Sequence, residues 1–214
     1  MAVRFCKLKQ YCPTADLFSL YHTRETAFLD SSLTNKYGNY SIIGLYSYLK
    51  AEETDGILKV NGTIQKGSLL DFLNQYLKEH KEENPTNLPM LGGAIGYLSY
   101  DYGRSFEQIP SRHKKKISMP DAMFEFFDLY LIEDLKKKEL YLSTSEHFHT
   151  LEEYRSEIMQ DILTLASKNV TVDSRLCDVR IKSDFVKQDY LNAIDSMIDY
   201  IRAGDIYIAN MTRQ

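Results

Sequence analysis

The chain of 214 residues contains no tryptophan at all. Its large amphipathic side chains are therefore its 16 tyrosines, whose rings suit half-buried positions with the hydroxyl turned to water or to a partner. Cysteine is scarce too: Cys6, Cys12 and Cys177 are an odd, scattered set with no CxxC pair. That spacing signals neither a disulfide framework nor a zinc site. No stretch approaches about 18 consecutive apolar residues, so no membrane span is expected. The N-terminus lacks the long apolar run of a secretory leader, and a reducing cytoplasm is the expected compartment. The net charge is only -4, which argues against a nucleic-acid partner held by bulk electrostatics. The basic runs Arg112 to Lys116 and Lys136 to Lys138 are short and read as solvated loops. The chain as a whole is 43% hydrophobic, enough for a substantial core.

Periodicity divides the chain into short strands and four helices. Arg4 to Gln10 reads as a first strand, and Thr14 as the cap of a helix carrying Leu17, Phe18, Leu20 and Tyr21. Ala27 to Ser32 reads as a buried strand with a polar end, and Tyr40 to Leu49 as a longer strand. Ile57 to Val60 and Thr63 to Lys66 flank Asn61-Gly62, a strong hairpin signal because both turn residues tolerate positive φ. Ser68 caps a helix with Leu69, Phe72, Leu73, Tyr76 and Leu77 on one side. A polar link containing Pro85 and Pro89 leads to Gly92-Gly93-Ala94-Ile95-Gly96-Tyr97-Leu98-Ser99-Tyr100, a strand whose glycines mark a bend or a close backbone approach. Met123 to Glu133 and Leu140 to Thr144 pair around the turn Asp134 to Glu139. Leu151, Tyr154, Ile158, Ile162 and Leu165 form a helical stripe. A second stripe, Phe185, Leu191, Ile194, Ile198 and Ile201, is capped by Ser183, has Asp184 in its first turn and ends at Gly204. Asp205 to Gln214 then reads as a strand broken off without a partner, which suggests a fragment of a longer protein. Hairpins outnumber βαβ units, so the expected fold is α+β, with largely antiparallel sheets and flanking helices. The expected division is residues 1–170, a connection at 171–183, and a truncated unit at 184–214.

Few side chains suggest chemistry by themselves. Asp101 and Arg104 read as a local ion pair. Glu125 and Asp128 lie on opposite faces of one strand, so they cannot share acid–base work. His147 and His149 share a strand face but lack an evident third ligand. Asn210 is the residue most readily placed in a site, because an amide in a buried strand must find partners.

Four motifs in order carry a resemblance. They are Phe28-Leu29-Asp30-Ser31-Ser32; Tyr40-Ser41-Ile42-Ile43-Gly44; Gly92 to Asp101 continued by Gly103-Arg104; and Tyr190-x-x-x-Ile194-x-x-x-Ile198-x-x-Ile201-x-x-Gly204-Asp205-Ile206-Tyr207-x-x-Asn210. Together they resemble the chorismate-utilising enzymes, component I of anthranilate synthase and of aminodeoxychorismate synthase, over the N-terminal part. The resemblance implies an N-terminal component I domain followed by the start of the chorismate-binding domain. It implies amination of chorismate with ammonia from a glutamine amidotransferase partner, and Mg²⁺ at the substrate carboxylate. Such an enzyme is a transferase or a lyase, serving folate or tryptophan synthesis. Asp30-Ser31-Ser32 and Asn210-Met211-Thr212 look more like the para-aminobenzoate branch. Where the family usually has Gln after the aromatic residue, this chain has Ile208. The resemblance further implies substrate contacts at Asn210 and Thr212, and a tryptophan effector pocket at Ser31, Tyr37, Asn39, Tyr40 and Ser41. The magnesium ligands and most catalytic groups belong to the family's C-terminal half, so residues 1–214 alone are expected to be inactive. The alternative of another class is a non-catalytic regulatory or subunit-docking module.

Overall fold

The computed structural model describes residues 3–33, 35–107, 109, 117–167, 182, 183 and 185–212. The chain divides into two compact units, residues 1–170 and 171–214. The first is built from strands β1 (Arg4–Lys7), β2 (Thr26–Leu29), β3 (Tyr40–Thr54), β4 (Ile57–Val60), β5 (Thr63–Gln65), β6 (Ala94–Leu98), β7 (Ala122–Asp134) and β8 (Glu139–Thr144). Its helices are α1 (Thr14–Tyr21), α2 (Leu69–Glu79) and α3 (Leu151–Ser167), with a 3-10 turn at Tyr100–Ser105. The second unit contributes α4 (Lys187–Ala203).

All strand pairs among the described residues are antiparallel, and the sheet runs β1-β8-β7-β3-β4-β5 with β2 added on β3 and β6 on β7. The fold is α+β. Its spine is the long pair β3–β7, in register from Tyr40↔Asp134 to Glu53↔Ala122. Each member shares its outer edge between two short strands: β3 pairs β2 over Ile42–Leu45 and β4 over Ala51–Thr54. β7 pairs β6 over Ala122–Phe126 and β8 over Leu129–Asp134. The handover coincides with a register shift between Ser47 and Leu49, beside Tyr46 at φ 61°. A bulge there bends the sheet and separates two helix-covered cores. Leu129 and Leu131 meet α1 and α3 through Leu17, Tyr21, Tyr154, Ile158 and Ile162. Phe126 and Ala51 meet α2 through Leu69 and Leu73. Tyr130, Ile132 and Ile42 cluster separately, as period-two alternation requires. Covered on both faces, β7 needs an apolar run, and each fully buried Leu or Ile there contributes about 1.5–3 kcal/mol.

Buried carboxylates fix the helices to this sheet. Glu133 accepts from the backbone N–H of Thr14 at 2.8 Å, the Thr14 hydroxyl and the Tyr11 hydroxyl. Glu53 accepts from the Leu69 N–H at 2.6 Å, at the start of α2. Asp128 accepts from the His147 and Phe148 N–H groups and the Tyr154 hydroxyl, each at 2.8 Å, and so anchors the lead-in to α3. The first N–H groups of a helix have no partner within it and attract negative charge. Thr150 and Glu153 add a reciprocal capping box on α3, with Thr150 N–H to Glu153 at 2.8 Å.

Several expectations hold: the Asn61-Gly62 hairpin has φ 47° and 77°, and Ser68 caps α2 by accepting from the Asp71 N–H at 3.1 Å. Others are corrected. Thr14 is the first helical residue, behind Pro13 at the cap position, and its hydroxyl and backbone N–H are both turned to Glu133. β1 stops at Lys7, and β2 stops at Leu29 and is half-buried; past it the Ser31 N–H goes to the Ser41 hydroxyl and the Ser31 hydroxyl to the Tyr40 carbonyl, so side-chain bonds replace the ladder. β3 continues to Thr54, with β7 pairing it as far as Glu53 and β4 as far as Thr54. Ser183 does not cap α4. Its hydroxyl accepts locally from the Phe185 N–H at 3.3 Å, and the helix begins behind Val186. Gly204 does end α4, with the Gly204 and Asp205 N–H groups returning to Ile201 and Tyr200. Residues 205–212 form no strand, since a strand needs a ladder and none of the described residues pairs with them. Residues 171–181, the run Arg112 to Lys116, Cys177, Asp184, Arg213 and Gln214 lie outside the described residues. Among the described residues, no helix is long and apolar enough to cross a membrane.

Candidate functional site

The corner between β2 and β3 gathers part of the predicted effector pocket. Ser41, at the buried start of β3, donates through its hydroxyl to Asp30 at 3.1 Å and accepts from the Ser31 N–H at 3.0 Å. The Ser31 hydroxyl donates to the Tyr40 carbonyl at 2.6 Å. Asp30, Ser31, Tyr40 and Ser41 thus close a ring in which both serine protons are engaged. A hydroxyl has one proton to give. A ligand carboxylate would have to displace a bond within the corner, whereas the Asp30 carboxylate is an acceptor suited to an ammonium group.

The other two predicted members stand one step away, in the turn over residues 35–39. Asn35 organises it, its side-chain oxygen accepting from the Tyr37 and Gly38 N–H groups at 2.7 and 2.9 Å. The Tyr37 ring is 82% exposed, with the Lys36 ammonium 4.7 Å from its centroid. Asn39 donates its amide to the Lys36 carbonyl at 3.1 Å, and its carbonyl accepts from the Leu135 N–H at 3.0 Å. Its side-chain oxygen is buried and has no hydrogen-bond partner among the described residues. The structure therefore brings Ser31, Tyr40 and Ser41 into one hydrogen-bonded corner and leaves Tyr37 in solvent.

The glycine-rich stretch serves packing. A Cβ on Gly96 would lie 2.1 Å from the Met123 carbonyl oxygen, and one on Gly44 would lie 2.5 Å from the Phe127 ring. Both positions hold the spine and its neighbours at contact distance. The Gly93 carbonyl accepts from Tyr130, whose oxygen in turn accepts from the Phe127 N–H. Those bonds fill the break between β6 and β8. Asp101 and Arg104 form the expected local ion pair at 2.8 Å.

Two expectations about chemistry change. Asn210 is not in a buried strand: it and Thr212 are exposed, and the backbone around them has no ladder. His147 and His149 follow the end of β8 and do not share a strand face. Each instead meets an aromatic ring, His147 on Tyr48 at 4.1 Å and His149 edge-on to Tyr154 at 5.4 Å. Asp128 is fully buried and saturated by donors. Burial acts to raise its pKa, but the His147 and Phe148 N–H groups, then Tyr154 and Ser145, outweigh it and hold the carboxyl below its usual range. Glu125 faces Lys50 at 3.6 Å. Among the described residues, no three His, Cys, Asp or Glu side chains come together to hold a metal ion. The bulge leaves an open hollow of about 270 Å³ lined by Arg24, Glu25, Thr26, Leu45, Tyr46 and Ser47, none of them a predicted site residue. Sequence reasoning missed the three clamping carboxylates. The available signal was an acid inside an otherwise apolar strand, Asp128 in Phe126-Phe127-Asp128-Leu129 above all.

A family model described as chorismate binding enzyme matches residues 26–214. Anthranilate synthase component 1 of Thermus thermophilus is 28% identical over 180 residues, covering 84% of this chain and 39% of that protein. Aminodeoxychorismate synthase component 1 of Bacillus subtilis is 26% identical over 187 residues, covering 82% and 39%. The crystal structure of anthranilate synthase component I from Streptococcus pneumoniae superposes with a TM-score of 0.59 at 23% identity, covering 81% of this chain and 40% of that one, a likeness of fold. The chain spans about two-fifths of the length of these relatives.

Proposed function

The chain belongs to the family of chorismate binding enzymes, and from that premise we propose that it is the amino-terminal portion of an aminodeoxychorismate synthase component I. The observation that carries this reading is the run of family motifs, in order, through a match that covers residues 26–214. In this reading the complete protein, in the cytoplasm, replaces a ring hydroxyl of chorismate with an amino group. Ammonia comes from a glutamine amidotransferase partner, and the product enters the para-aminobenzoate branch toward folate. Asp30-Ser31-Ser32 and Asn210-Met211-Thr212 are what favour that branch. Relatives named for the anthranilate branch match as well, so anthranilate synthase component I is the second reading.

Chorismate is a dianion, and charge shifts as the hydroxyl leaves, so a site for it needs fixed cations and donors. Mg²⁺ is the cation this reading calls for. The described residues do not fit it: no carboxylate cluster forms among them, and Glu53, Asp128 and Glu133 already accept from helix and loop donors. No catalytic step is assigned to these side chains. Their part in this reading is scaffolding, with the corner at Asp30, Ser31 and Ser41 as a binding place for the amino group of an amino-acid effector such as tryptophan.

A binding module without catalysis is the reading from another class. Complementation separates the three. The complete gene should restore growth without para-aminobenzoate to a strain lacking aminodeoxychorismate synthase component I. Rescue only of a tryptophan auxotroph would assign the other branch, and rescue of neither would favour the module.

A further inference from the structure

We draw no further inference here: the strongest candidate, the exposed apolar patch that Leu98, Tyr100 and Phe106 form around the 3-10 turn after β6, is an unpartnered face, and nothing in the structure shows what covers it.

Discussion

Asp128 shows how a single buried charge is kept in an apolar sheet. A carboxylate is costly to bury unless donors replace its water, and here two backbone N–H groups and the hydroxyls of Tyr154, Thr144 and Ser145 do so. Asp128→Asn would place an amide against those donors and should cost about 2–3 kcal/mol in urea unfolding at neutral pH. The sign with pH follows from the lowered pKa. The folded carboxyl titrates below its ordinary value of 3.8, so its contribution is full well above that pH and is lost as pH falls toward the folded value. The gap between wild type and the Asn variant should therefore narrow in acid; a gap that widened would contradict the assignment. Tyrosine hydroxyls repeat the theme, with Tyr11, Tyr21, Tyr46, Tyr102 and Tyr154 each donating to a carboxylate. Burial first, and then a carboxylate neighbour, pushes Tyr46 and Tyr102 up to about 12. With no tryptophan to mask it, tyrosinate absorbance should reveal a class that ionises near pH 12 in the folded protein. Stability from these groups is present below their unfolded value of 10 and lost as pH rises through the folded one. Disappearance of that late class in urea would support the reading, and its absence from the folded protein would contradict it.

At the level of elements, contact between strands decides more than propensity does. Gly96 pairs with Phe124 across β6–β7, and a methyl group there would overlap the Met123 carbonyl. Gly96→Ala should destabilise by about 3 kcal/mol, whereas Gly103→Ala, with nothing near the added carbon, should stay within about 0.5 kcal/mol. Equal thermal midpoints for the two variants would refute the close approach. The corner between β2 and β3 makes a prediction of its own. Ser31→Ala removes the bond to the Tyr40 carbonyl and should cost about 1 kcal/mol in stability. In the complete protein it should also weaken tryptophan binding measured by calorimetry. Unchanged affinity would remove Ser31 from the effector site. Much of this level was legible in the sequence, because local chemistry specifies it: Asn61-Gly62 makes its turn, Ser68 caps α2, and the stripe from Tyr154 to Leu165 faces the core. The bulge at Ser47, the clamps from Glu53 and Glu133 and the first turn of α4 were not legible. Each depends on a partner distant in the chain, or on how a hydroxyl chooses among several donors and acceptors. The expected strand after Gly204 fails for the same reason, since apolar alternation at Ile206 and Ile208 proposes a strand but only a neighbour can form one.

At the scale of the whole molecule, the two units differ in how their apolar surface is used. Residues 1–170 hold a bent antiparallel sheet whose two helix-covered cores are fixed by buried carboxylates. In the other unit α4 has no buried residue, and Leu191, Ile198 and Ile201 are each about 40% exposed. The predicted effector corner is assembled in the first unit, while Asn210 and Thr212 lie in the second, without the strand that was to position them. Recognition of the family rested on motifs that turn out to do different work. The glycine stretch packs the spine, the serine corner closes a strand end, and the final helix presents an apolar stripe. The chain belongs to the family of chorismate binding enzymes, and the proposal made for it is that the complete protein aminates chorismate while residues 1–214 alone do not. Its most direct test is to incubate chorismate, ammonia and Mg²⁺ with the complete protein and, in parallel, with residues 1–214, and to identify the product by chromatography and mass. The account predicts 4-amino-4-deoxychorismate from the complete protein and unchanged chorismate from residues 1–214. Chorismate consumed by residues 1–214 alone, or left untouched by the complete protein, would contradict it.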